Sequence, residues 1–310
     1  LSLHDALPIS YGLHRGDLFT TLAEAVAARP ITVRLGCRVA RLREGGAALL
    51  SDEGGGRHGP FDLIIAADGS RSRLREQAPH RVKPYPHGAL WALGRSSVIR
   101  GHLFQVTRGT QRLCGLLPMG EGRCSLFWSL HRDQHEPLLR RGMAAFRAEV
   151  LALCPEAEEL LAGLEDLEAL RFTTYQHARL PHFFHDGCLF LGDAAHAMSP
   201  HLGQGINLAL LDAYLFARCL AAADGKDNAQ RIASAADRYQ REREGPLRFY
   251  SLLTYALSPF FQSDGIIKGL LRDTFLPLLP QLPMLRRQML LSVAGVKAGW
   301  LGGPLTLPGQ

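Results

Sequence analysis

Residues 188–220, CLFLGDAAHAMSPHLGQGINLALLDAYLFARCL, admit few folds. The apolar run at Cys188–Leu191 has the character of a buried strand, and it stops at Gly192-Asp193, a pair suited to a sharp turn. Gly203 and Gly205 then lack a Cβ, so backbone there can approach a planar ligand closely. The helix that begins at that point carries Leu208, Leu211 and Leu215 on one face and aims its N-terminus at the same spot. Asp193 can accept hydrogen bonds from the hydroxyls of a sugar or ribityl chain. The partial positive charge of the helix end stabilises negative charge on a ligand ring by about 0.3–2 kcal/mol. Such a unit normally stands near the start of a nucleotide-binding chain, and here it arrives two-thirds of the way along.

The rest of the chain must therefore be read for the other half of the site. With 310 residues, 46% hydrophobic and 21% charged, it can bury a sizeable core in one large domain or two modest ones. The 35 basic and 29 acidic residues favour anionic ligands, but the arginines are spread out and form no dense stripe, which argues against nucleic acid. Cys37, Cys114, Cys124, Cys154, Cys188 and Cys219 show no CxxC pair and no metal spacing, so they read as isolated thiols in a reducing, cytoplasmic compartment, with no metal site. His196 and His201, five apart with no nearby Cys and no partner to orient them, are a poor zinc pair. No run of 18 uncharged apolar residues is present, which argues against a membrane span. The segment LSLHDALPIS is no signal peptide and fits nothing that follows, so residues 1–10 read as foreign and native sequence as starting near Tyr11.

Periodicity predicts a helix in RGDLFTTLAEAVAARP, with Leu18, Leu22 and Val26 on one face and Pro30 as a stop, followed by a strand. Residues 31–70 read as two or three strands with glycine-rich turns, ending in FDLIIAA, a continuous apolar run expected of a buried parallel strand. From Pro84 to His131, short β-like runs between turn signals predict an antiparallel sheet. Residues 136–163 read as helical, 171–180 as extended, and the chain after Gly203 as helical almost to its end. The expected fold class is α/β: a Rossmann-like domain with an inserted, mostly antiparallel sheet and a helical C-terminal tail. The domains would be 11–82 and 181–225 for the ligand domain, 83–180 for the sheet and 226–310 for the tail.

Two further motifs precede the first. HRGDL sets Arg15 just before a helix N-terminus, where a guanidinium and free N–H groups can face a phosphate, although an Arg there is commonly solvated surface. DLIIAADGSRSRLRE ends a strand in Asp68-Gly69, which is either only a turn or a carboxylate at the ligand-binding edge of a parallel sheet; Arg71, Arg73 and Arg75 follow at once.

These three motifs, in this order and at these separations, resemble the FAD-dependent aromatic hydroxylases, the flavoprotein monooxygenases of the para-hydroxybenzoate hydroxylase type. The likeness runs from about Tyr11 to Ala222, and the tail is diffusely similar to the ubiquinone-biosynthesis hydroxylases. The resemblance implies FAD as cofactor, NADH or NADPH as electron donor, and hydroxylation of a phenolic or quinone-precursor ring by oxygen. It places Arg15 near the FAD pyrophosphate and gives Asp68, with Gly69, a double role toward FAD and the pyridine nucleotide. It sets Gly192 and Asp193 at the ribityl chain, Gly203, Gln204, Gly205, Ile206 and Asn207 beside the isoalloxazine ring, and Pro200 next to the substrate. The organic chemistry belongs to the cofactor, so no catalytic triad is required. Trp91, Phe104, Phe127 and Trp128 would lie on the substrate-facing side of the sheet, or in its core, the better reading for at least half of them.

Family members open with a βαβ unit whose GxGxxG turn holds the pyrophosphate. Here no such turn opens a helix, and the glycine cluster EGGGRHG at 53–59 sits between strands. The expectation is a fragment that lacks roughly a hundred residues upstream of Tyr11. A reductase or halogenase on the same scaffold, or an inactive truncated product, are the alternatives. The tail suits either an intramolecular helical cover or attachment to a membrane surface, the latter allowing a place peripheral to the inner membrane. The oligomeric state stays open.

Overall fold

The computed structural model describes residues 12–43, 48–167 and 170–300. Along the chain run α1 (Arg15–Ala27), β1 (Val39–Arg43), β2 (Ala48–Asp52), β3 (Arg57–Phe61), β4 (Ile64–Ala66), β5 (Arg81–Arg95), β6 (Phe104–Arg108), β7 (Arg112–Pro118) and β8 (Arg123–His131). There follow α2 (His135–Leu151), α3 (Glu158–Ala162), β9 (Arg171–Arg179), β10 (Phe184–His185), β11 (Cys188–Phe190), α4 (Asp193–His196), α5 (Gly205–Ala221), α6 (Asn228–Phe261), α7 (Ile266–Phe275) and α8 (Pro283–Val293). The chain divides into two compact units. The sheet unit holds the residues up to Val33, Tyr85–Thr174 and Leu257–Leu290; the motif unit holds Arg34–Pro84, Tyr175–Ala256 and the residues from Leu291.

The sheet unit is built on five strands in the order β6-β7-β8-β5-β9, with β6, β7, β8 and β5 paired antiparallel. Alternation along β8 sends Leu126, Trp128 and Leu130 into a core completed by Leu138, Phe146 and Val150 of α2. Each such side chain contributes about 1.5–3 kcal/mol by leaving water. The opposite face carries Ser125, Phe127 and Ser129, and Phe127 stands across from Trp91 with ring centroids 5.5 Å apart. Gly115, opposite Phe127 on β7, has to be glycine, because a Cβ there would come within 2.1 Å of the Phe127 ring. Of the four aromatics singled out in the sequence, Trp128 is core and Trp91, Phe104 and Phe127 are half-buried.

The motif unit contains the parallel pair. β11 aligns Cys188, Leu189 and Phe190 with Ile64, Ile65 and Ala66 of β4, and β10 adds an antiparallel strand beyond β11. Leu208, Leu215 and Phe216 of α5 and Tyr239, Leu247 and Tyr250 of α6 pack on this small sheet. β1, β2 and β3 form a separate antiparallel meander.

The antiparallel run from Pro84 to His131, the helical stretch after it and the helical tail match the expected pattern, because alternation and helical period are local signals. Three details differ. No strand follows Pro30: Ile31, Val33 and Leu35 are 54%, 59% and 90% exposed, and the first strand begins at Val39. FDLIIAA shortens to a three-residue strand with Ile65 49% exposed, since only the face that carries Ile64 and Ala66 is covered. The predicted apolar face of α1 holds no buried residue. Gly54, Gly56 and Gly59 have the G-x-G-x-x-G spacing, yet the first two lie in the turn between β2 and β3, with Gly55 at φ +84°, the third lies within β3, and they open no helix. The six cysteines are free thiols, five of them buried. Among the described residues no helix is long and apolar enough to cross a membrane.

Candidate functional site

The site grows from the carboxyl ends of β4 and β11, the edge at which parallel sheets present ligands. Leu191 continues the pairing for one residue by donating its N–H to the Ala66 carbonyl at 3.0 Å, and the chain then turns at Gly192. Gly192 has φ +58° and ψ −138°, a region closed to side chains, and a Cβ would stand 3.0 Å from that of Ala209. Its carbonyl accepts the N–H groups of Ala195 and His196, both at 2.9 Å, which begins α4 and fixes Asp193 at its first position.

Asp193 is half-buried, and its Oδ1 lies 3.8 Å from the place a Cβ would occupy on Gly205. The acidic turn and the start of α5 are thus brought together, as the sequence led one to expect. No side chain caps that helix start, so its first N–H groups are turned to whatever lies beyond it. Gly203 sits at φ +64° with nothing within 4 Å of its missing Cβ, leaving an open approach to the loop. Pro200, Ile206 and Asn207 are exposed around it. Gln204 points the other way. It is 5% exposed, donates to the carbonyls of Leu202 at 3.2 Å and of Val293, and accepts from Asn207 Nδ2 at 3.2 Å. Its side chain holds the loop to the tail instead of facing a ligand.

Asp68 and Gly69 stand at the end of β4. Asp68 is exposed and accepts the Arg73 N–H at 3.2 Å, while Gly69, at φ +84°, accepts the Ser72 N–H at 3.0 Å. The loop they open is tied to the acidic turn by Arg75. This buried guanidinium donates to the carbonyls of Asp193 and Ala194, both at 3.1 Å, and to that of Ser70 at 2.5 Å. Burial pushes its pKa down, against the pull of Asp68, Glu76 and Asp193 upward. Arg15 falls in the sheet unit, where it is the exposed first residue of α1; Asp68, Asp193 and the glycine loop all fall in the motif unit.

Beneath the turn lies a charged group that sequence reasoning missed. Asp212 Oδ2 accepts the Gly192 N–H at 3.0 Å and bonds His196 Nε2 at 2.6 Å, while Oδ1 accepts Arg243 Nε at 2.7 Å. Asp212 and Arg243 are both fully buried. Burial alone would raise the Asp212 pKa, but His196, Arg243 and the Gly192 N–H outweigh it and hold the carboxyl below the usual range. His196, thought to lack any partner, is committed to this carboxylate. A signal was present: Asp212 is four residues after Leu208 and three before Leu215, on the apolar face of α5, where a carboxylate must find a partner.

A half-buried carboxylate for hydroxyls, an uncapped helix start and a glycine loop with no Cβ in the way fit the ribityl and ring portion of FAD. The family model described as "FAD binding domain" matches residues 4–245. The chain is 28% identical over 219 residues to aurachin C monooxygenase/isomerase of Stigmatella aurantiaca, covering 67% of this chain and 55% of that one. It is 26% identical to 2-heptyl-3-hydroxy-4(1H)-quinolone synthase of Pseudomonas aeruginosa, covering 86% and 69%. Among solved structures, it resembles Klebsiella pneumoniae HpxO complexed with FAD and uric acid, with TM-score 0.73, 20% identity and coverage of 93% and 72%. The first relatives are spanned for about half their length, 55%, 44% and 56%.

Proposed function

We propose that this chain, which belongs to the FAD binding domain family, holds the ribityl and ring end of FAD in a monooxygenase that hydroxylates an aromatic substrate with NADH or NADPH and oxygen. The observation that carries the reading is the meeting of Asp193 with the uncapped start of α5 at Gly205, where Oδ1 lies 3.8 Å from the absent Cβ. Relatives named as monooxygenases, and as a synthase of a hydroxylated quinolone, support an aromatic substrate.

FAD, when bound, supplies the redox chemistry and the activation of oxygen. The residues of the chain do the rest. Asp193 accepts hydrogen bonds from ribityl hydroxyls, and Arg75 and Asp212 keep its backbone in place from either side of the turn. The start of α5 favours negative charge on the ring by about 0.3–2 kcal/mol. Gly203 leaves room for the ring to approach the loop. Asp68, on the neighbouring loop, serves FAD and the nicotinamide donor.

The test uses the purified, FAD-loaded protein. Oxidation of NADH or NADPH that depends on an added phenol or quinolone, with one atom of isotopically labelled oxygen in the product, is the expected result. Oxidation without an oxygenated product would overturn the reading. Asp193→Ala should weaken FAD binding by about 10- to 100-fold, the loss of a polar contact of about 1–3 kcal/mol; unchanged affinity would remove the central residue from the proposal.

A further inference from the structure

We propose that Cys37 Sγ, Asp52 Oδ2 and His58 Nε2 form a binding site for a zinc-class divalent cation on the meander of β1, β2 and β3. The three donor atoms lie within 4.8 Å of one another. His58 Nε2 is 2.8 Å from Asp52 Oδ2, and Cys37 Sγ is 3.8 Å from Asp52 Oδ2 and 3.9 Å from His58 Nε2. Tetrahedral zinc, with bonds of about 2.0–2.3 Å, sets its donors about 3.4–3.6 Å apart. An ion can enter by parting the carboxylate and the ring by about half an ångström and drawing the sulfur in by about the same amount or less. A set of one sulfur, one nitrogen and one oxygen suits zinc; magnesium and calcium take oxygen donors throughout.

The carboxylate is already aimed. Asp52 Oδ1 accepts the Gly56 N–H at 2.8 Å, and the Asp52 N–H donates to the Gly56 carbonyl at 3.0 Å, which leaves Oδ2 facing His58 and Cys37. Metal-ligating carboxylates are usually oriented by such an outer hydrogen bond. The side chains of Asp52 and His58 are only 19% and 21% exposed, so water competes weakly for these two ligands, while the Cys37 side and the fourth position stay open to it. The ligands come from the approach to β1, the end of β2 and the start of β3, so one ion ties all three strands together. No CxxC spacing announces the site, because the sheet and not the sequence makes these residues neighbours.

One contact must change. Arg34 Nη1 lies 3.2 Å from His58 Nδ1. With a cation on Nε2 the remaining ring proton sits on Nδ1, and a guanidinium, which can only donate, has to turn away. Arg34 is exposed and can do so into solvent. Binding breaks the Sγ–H bond of Cys37 and sends that proton to solvent, while the ring proton passes from Nε2 to Nδ1. One proton is released per ion, and nothing is oxidised or reduced.

The experiment is equilibrium dialysis of the full, tag-free chain against zinc, followed by metal analysis. One ion per chain is expected, with binding weakened about 100-fold or more in Cys37→Ser and in His58→Gln. Arg34→Ala, which removes the competitor for Nδ1, should tighten binding several-fold. Cobalt in place of zinc should give absorption in the red, where oxidised flavin is transparent, and Cys37→Ser should abolish its thiolate charge-transfer band. Should Cys37→Ser fail to fold, Asp52→Asn, which keeps the Gly56 hydrogen bond, carries the same test. Less than a tenth of an ion bound, or equal affinity in the parent and in the Cys37, Asp52 and His58 variants, overturns the proposal.

Discussion

The two units solve the problem of buried polar groups in opposite ways. In the sheet unit, long strands pair their own backbone, and the polar side chains on the sheet itself are neutral: Ser125, Ser129 and His87, whose pKa burial and the neighbouring His131 push down to about 4; the buried Arg272 of α7 is met by the backbone carbonyls of Gly109 and Phe260. In the motif unit, a three-residue strand ends in a sharp turn, and the buried Gly192 N–H is left without a ladder partner. A carboxylate twenty residues on supplies the acceptor, and that carboxylate in turn requires Arg243 and His196. A buried ion pair is rarely the most stabilising choice for a core. Here it is the means of holding a glycine turn that regular pairing cannot hold, and so of presenting Asp193.

Breaking that arrangement should have the largest effect. Asp212→Ala leaves Arg243 buried and unpaired, and should cost about 3–5 kcal/mol in chemical denaturation. Adding Arg243→Met should recover part of the loss; a double variant no better than the single one would show that the two residues are not coupled. In the sheet unit, Gly115→Ala forces a Cβ onto the Phe127 ring and should cost about 1–3 kcal/mol. In a Phe127→Ala background the same change should cost nothing further, and a persistent cost would place the strain elsewhere.

Acid should separate the units by pH. His87 has its folded pKa below its ordinary 6.5, so its stability contribution is full above pH 6.5 and is lost as pH falls toward 4. Asp212 is also lowered, from 3.8, so its contribution is full above that value and is lost only below it. Fluorescence of Trp91 and Trp128 in a Trp300→Phe variant should report the sheet unit weakening first. A variant keeping only Trp300 should report the motif unit, where burial also holds His177 below 6.5 and takes part of the stability in the same range, unfolding last because the Asp212 contribution persists; coincident transitions would refute the contrast. The smallest effect is expected at Asp68→Ala. Its exposed bond to the Arg73 N–H is worth at most about 1 kcal/mol, so thermal unfolding should barely move while the rate of reduction by the nicotinamide donor falls.

The sequence by itself determined most of the elements and the turn and loop of the candidate site. Alternation announced β5 to β8, helical period announced α2 and α5, and Gly192-Asp193 with Gly203 and Gly205 marked a turn and a loop that the structure brings together. These are signals carried within a few residues, where backbone geometry alone relates one side chain to the next. The tertiary structure decided the rest. It turned Gln204 inward onto Val293, gave Asp193 the support of Arg75 from 118 residues away, and set Asp212 against Arg243 from 31 residues away. It also gathered Cys37, Asp52 and His58, and it left Ile31, Val33 and Leu35 outside any strand. A buried charge must have a partner, but any of many distant residues of the right type can satisfy it, and only the packing of strands and helices selects which one comes within reach.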